Sequence, residues 1–178
     1  MLFCVESIRF LFLQVLLRIE GTIFEIIFLV VLIIVWTLLI TYWHQAPDII
    51  PTHFGIDGYP NDWGSKSGIL IPCGITSLTG LVLMIIAYFP HKVNIPVTVS
   101  TPQQWTLVVR MTRCMGLMML VLTFAIGYTS LVSALNGGAT PVLILSTVGA
   151  LFAIIIVFCV LIHRAKLPDG IDGINETR

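Results

Sequence analysis

Four stretches of apolar residues, each about twenty long and nearly free of charge, are separated by polar segments rich in glycine and proline. As helices rising 1.5 Å per residue, each is long enough to cross the roughly 30 Å hydrocarbon core of a bilayer. The pattern predicts spans over residues 22–43, 69–89, 113–135 and 142–163. Tyr42 and Trp43 close the first and Tyr88 and Phe89 close the second, where interfacial aromatics belong. Residues 1–21 are also apolar, but Glu6, Arg9, Arg18 and Glu20 interrupt them, and the uncharged run between the arginines is too short to cross. Ser7, Gln14, Arg18 and Glu25 fall on one face of a helix. The expectation for 1–21 is an amphipathic helix in the headgroup region, running on past Gly21 toward the first span. There is neither a basic beginning nor a small-residue cleavage site of the kind a signal peptide carries. The chain therefore reads as an all-α membrane protein. Four transmembrane helices in two hairpins fill 22–163, with a cap loop over 44–68 and a polar tail over 164–178.

Composition supports this and adds an orientation. The chain is 57% apolar and 10% charged, with a mean hydropathy of +1.02, whereas soluble domains are about a quarter charged. Nine basic residues balance nine acidic ones and no Lys/Arg-rich face exists, so nucleic acid is not an expected partner. Eight of the nine Lys and Arg lie in the N-terminal segment, the second loop with its flanks, or the tail; Lys66 alone lies in the cap loop. By the positive-inside rule the termini are expected in the cytoplasm and the cap outside, as in a multi-pass protein of a bacterial plasma membrane.

Two further features bear on packing. Thr101-Pro102-Gln103-Gln104 has the form of a capping box with proline at the first helical position, so the third helix should begin well before its span. Small residues four apart, namely Thr76 with Gly80, Thr123 with Gly127 and Gly149 with Ala153, mark expected helix–helix contacts. Cys4, Cys73, Cys114 and Cys159 form no C-x-x-C pair and read as apolar fillers.

Candidate chemistry concentrates in the cap, PDIIPTHFGIDGYPNDWGSK from Pro47 to Lys66. Imidazole and carboxylates can hold a transition metal, which makes His53, Asp57 and Asp62 candidate ligands. Gly55 and Gly58 bracket Asp57, however, and such residues favour tight turns over a one-faced helix. The competing expectation is a hydrogen-bonded cap of turns. In it, Ile49, Ile50, Phe54, Tyr59 and Trp63 anchor to the helix ends, and His53 and Lys66 bond to Asp57 or Asp62. No nucleophile motif, phosphate loop or intramembrane ladder of acids and bases is present, and no cofactor is implied. Glu25, the only acid within a span, is expected near the start of that span, where a helix N-terminus would favour an anion.

The segment APDIIPTHFGIDGYPNDWGSK resembles the signature of a bacterial membrane domain of unknown function found at the N-terminus of SdpI-type proteins. The matching positions are Pro47, Asp48, Ile50, Pro51, His53, Phe54, Gly58, Asp62, Gly64, Ser65 and Lys66, with Trp63 among them. A weaker match is NIPV at Asn94–Val97, followed by Arg110-Met111-Thr112-Arg113. The resemblance covers roughly residues 40–130 and implies a role in immunity to a secreted antimicrobial peptide, or in signalling. The leading expectation is a non-enzymatic protein whose partners are the bilayer and a peptide toxin or another membrane protein. A membrane-surface metal protein or enzyme using His53, Asp57 and Asp62, and an assembly subunit or homo-oligomer, are the alternatives.

Overall fold

The computed structural model describes residues 2–55, 59–136 and 142–165, with side chains from residue 19 onward. Four helices dominate: α1 (Leu2–Gln45), α2 (Leu70–Ile86), α3 (Pro102–Asn136) and α4 (Val142–Arg164). Between α1 and α2 stands an antiparallel hairpin of two strands, β1 (Ile49–Phe54) and β2 (Pro60–Ser65). The segments Ile19–Gln45, Lys66–Ile86, Pro102–Leu135 and Val142–Arg164 are long and apolar enough to cross a membrane, as expected of an integral, multi-pass membrane protein.

α1 is one uninterrupted helix of 44 residues, about 66 Å long, so the segment before Gly21 is not a separate element. Of the residues expected to line its polar face, Ser7, Gln14 and Arg18 lie outside the described side chains. The helix runs through Gly21, where the missing side chain makes room for a neighbour: a Cβ there would stand 2.6 Å from a guanidinium nitrogen of Arg113 on α3.

α3 is the hub, with α1, α2 and α4 each packing against it. Where α2 meets α3, Gly80 and Gly116 bring the backbones together. A Cβ at Gly80 would lie 2.9 Å from the Gly116 carbonyl oxygen, and one at Gly116 3.1 Å from that of Gly80. Beside them the hydroxyls of Thr76 and Thr123 share a 2.8 Å hydrogen bond, Ser77 lies 3.3 Å from Thr123, and the Trp36 indole of α1 donates to Ser77. In hydrocarbon, where helices gain little from apolar burial against each other, such close approach and polar pairing hold the bundle. Gly127 fits the same scheme, since a Cβ there would meet Leu39 at 2.6 Å. Gly149 does not. A Cβ there meets nothing within 4 Å and Ala153 is exposed, so the expected contact at that pair is absent among the described residues.

The capping box is present. Thr101 Oγ1 accepts from the Gln104 amide at 3.2 Å, while Gln104 Oε1 accepts from the amides of Thr101 and Ser100 at 3.0 and 2.8 Å. The buried Gln104 also donates through Nε2 to the Ile162 carbonyl at 2.9 Å, tying the start of α3 to the end of α4.

Candidate functional site

The cap is a β-hairpin, not a run of turns. Ile49 pairs with Ser65, Ile50 with Gly64, Pro51 with Trp63, His53 with Asp62 and Phe54 with Pro60, with irregularities on either side of His53. Two prolines in a sheet are tolerated because a lone hairpin consists only of edge strands. Beyond Phe54, the Gly55 amide donates to the Tyr59 carbonyl at 2.9 Å and closes the pairing. Asp57 and Gly58 lie outside the described residues.

The hairpin is seated by one side chain. Ile50 is fully buried in a cluster with Val35, Leu39, Ala46, Ile69, Cys73 and Leu131, and Pro51 beside it is buried as well. Completely burying an isoleucine contributes about 1.5–3 kcal/mol. Lys66 is the polar fastener where the hairpin meets α2. Its ammonium lies 3.2 Å from an Asp48 carboxylate oxygen, donates to the Ala46 carbonyl at 3.1 Å and stands 5.0 Å from the centre of the Trp43 ring. The Trp43 indole in turn donates to the Lys66 carbonyl at 3.3 Å, and the Lys66 amide donates to the Asp48 carbonyl at 2.9 Å. Ser65 accepts from the Ser67 amide and starts the 3-10 turn Lys66–Ile69 that leads into α2. Gly64 is tight, with a Cβ there 3.0 Å from the Thr52 methyl.

Several expected partnerships are replaced. His53 pairs with Asn61, Nδ1 to Oδ1 at 2.6 Å, instead of with an aspartate. Asn61 carries no signal of its own in the sequence, because it is the irregularity in the pairing beside His53 that brings it within reach of the imidazole. Asp62 Oδ1 accepts from the backbone amide of Trp63 at 2.9 Å, and Lys66 pairs with Asp48. His53 and Asp62 face each other across the register without a bond between them, and no group of three His, Cys, Asp or Glu converges among the described residues.

The anchoring set is also corrected. Of the five side chains expected to pack down, Ile50 does so and Phe54 is half-buried. Ile49, Tyr59 and Trp63 are instead 63%, 72% and 55% exposed. Two aromatic rings and a branched aliphatic therefore lie on the outer surface beside His53, Asn61 and Asp62, on a scaffold fixed from beneath.

A stretch of 76 residues is 28% identical to an uncharacterized protein of Archaeoglobus fulgidus, covering 38% of this chain and 42% of that protein. The match thus spans less than half the length of that relative. No solved structure matches the chain. Residues 29–76, which hold the last seventeen residues of α1, the whole hairpin and the first turns of α2, match the DUF1648 domain, a domain of unknown function.

Proposed function

We propose that this integral membrane protein is a non-enzymatic sensor or immunity protein of a bacterial plasma membrane. In this reading both termini are cytoplasmic, and the hairpin faces outward to meet antimicrobial peptides or other envelope-active compounds. The observation that carries the reading is the exposure of Ile49, Tyr59 and Trp63 on a hairpin locked down by Ile50 and Lys66. Exposed aromatics on a rigid frame lose little side-chain freedom on binding, and this favours a recognition surface over a passive plug. Charge narrows the partner. Asp48, Asp57 and Asp62 against Lys66 leave the 44–68 segment acidic, which suits a cationic, amphipathic peptide. The resemblance of the segment to the SdpI-type signature points the same way. The metal-centred alternative has less behind it, because the His53 imidazole is engaged by Asn61.

The test is survival of a toxin-sensitive strain expressing the chain, challenged with a panel of cationic membrane-active peptides. Protection by the wild type that falls with Trp63→Ala, and falls further with the His53→Ala, Asp62→Ala pair, supports the reading. Wild-type survival indistinguishable from that of these variants across the panel rules it out.

A further inference from the structure

At the end of the bundle away from the hairpin, an arginine is buried that no described residue fully satisfies. Arg113 of α3 is 5% exposed, and its Nη1 has no hydrogen-bond partner among the described residues. Placing such a cation inside a membrane bundle is costly, and groups so placed normally face a partner or a ligand path. The guanidinium lies against the backbone of Gly21 on one side, and its Cζ stands 5.8 Å from the ring centre of Tyr88 on another. The Tyr88 hydroxyl donates to the Glu25 carboxylate. The neighbouring Glu20 does not complete this arrangement, because it is held by Arg110 in a two-pronged pair at 2.7 and 3.0 Å.

Glu25 and Tyr88 also end a cleft of about 280 Å³ between α1 and α2, walled by Phe28, Leu29, Leu81 and Met84. The cleft is close to the lower end of the range for ligand pockets, about 300–1,000 Å³, and its walls offer only hydrocarbon. It has room for part of an acyl chain. At its polar end a half-exposed carboxylate calls for a cationic donor, and a guanidinium behind the tyrosine calls for an anion.

We propose that this cleft is a binding site for a phosphatidylethanolamine-type lipid, one acyl chain lying along the groove between α1 and α2, its ammonium on Glu25 and its phosphate outside the Tyr88 ring, drawn by the field of the buried Arg113 without touching it. The charge pattern makes the choice among headgroups. A choline head has no N–H to donate to the carboxylate, and a glycerol head brings the anion without the cation. The site is separate from the hairpin and does not depend on the role proposed for it.

The experiment is native mass spectrometry of the full chain in mild detergent with an equimolar mixture of phosphatidylethanolamine, phosphatidylcholine and phosphatidylglycerol of identical acyl chains. The wild type is expected to retain one ethanolamine lipid about tenfold more than either competitor, the effect of one charge-assisted hydrogen bond. Glu25→Gln should abolish that preference. Leu81→Trp, at a cleft-wall side chain 41% exposed to lipid, should lower retention of all three, while Leu145→Trp, 66% exposed on α4, should change none. If Glu25→Gln does not fold, wild-type headgroup preference and the two tryptophan variants decide. Equal retention of the three lipids by the wild type overturns the proposal. So does a preference for phosphatidylglycerol, or a Leu81→Trp protein that behaves as Leu145→Trp does.

Discussion

Adding one methyl group to Gly80 should loosen the junction between α2 and α3, and the structure says by how much relative to a matched control. The new Cβ would lie 2.9 Å from the Gly116 carbonyl oxygen, 3.2 Å from Met119 Cβ and 3.3 Å from a Phe28 ring carbon. The nearest of these is backbone, so the helices must separate instead of a side chain turning aside. Overpacking of this kind costs about 1–3 kcal/mol. Replacing glycine by alanine within a helix also gains roughly 0.8–1 kcal/mol of propensity, which obscures the packing cost in a single variant. Gly149→Ala removes that ambiguity, because its methyl meets nothing within 4 Å and it carries the propensity gain alone. The difference between the two variants is therefore the packing cost, about 1–3 kcal/mol in favour of Gly149→Ala. Unfolding by SDS titration, followed by circular dichroism, measures it. If Gly80→Ala unfolds at the same or higher SDS fraction than Gly149→Ala, the α2–α3 approach is not as tight as described.

Other expectations follow from single contacts. Lys66→Met removes the Asp48 pair, the Ala46 bond and the stacking over Trp43; with Asp48 95% exposed, the ion pair itself is worth at most about 1 kcal/mol, and the loss should instead appear as faster amide hydrogen exchange confined to 46–66. Gln104→Ala loses both the bonds to the Thr101 and Ser100 amides and the donor to Ile162, whereas Thr101→Ala loses only the side-chain cap of the Gln104 amide; in denaturant titrations the Gln104 variant should be the less stable by about 1 kcal/mol, and equal losses would show that the Ile162 bond contributes nothing.

The spans were legible in the chain because twenty apolar residues in a row have one physical reading, and the Thr101–Gln104 cap because its chemistry is local. The hairpin was not. Pro51 and Pro60 are poor strand residues, and the exposure along β1 does not alternate, since Ile50 and Pro51 are buried in succession. What makes these residues strands is pairing between partners up to sixteen positions apart, Ile49 with Ser65, which no local pattern carries. The same non-locality explains the site. His53 was visible, but Asn61 becomes its partner only once the register is set. Gly80 was visible as half of a contact, whereas its counterpart Gly116, four residues after Thr112, was passed over. The helix was expected to run on past Gly21, but that Gly21 is a recess for Arg113 needed the packed α3 to be seen.

The reliance of three helices on α3 has a consequence for biosynthesis. When the ribosome has delivered only α1 and α2, the notch at Gly80 and the hydroxyl of Thr76 still await the partners that Gly116 and Thr123 will bring. Until then they meet acyl chains or the insertion machinery, so the nascent protein passes through an incomplete stage that ends only when its third helix arrives.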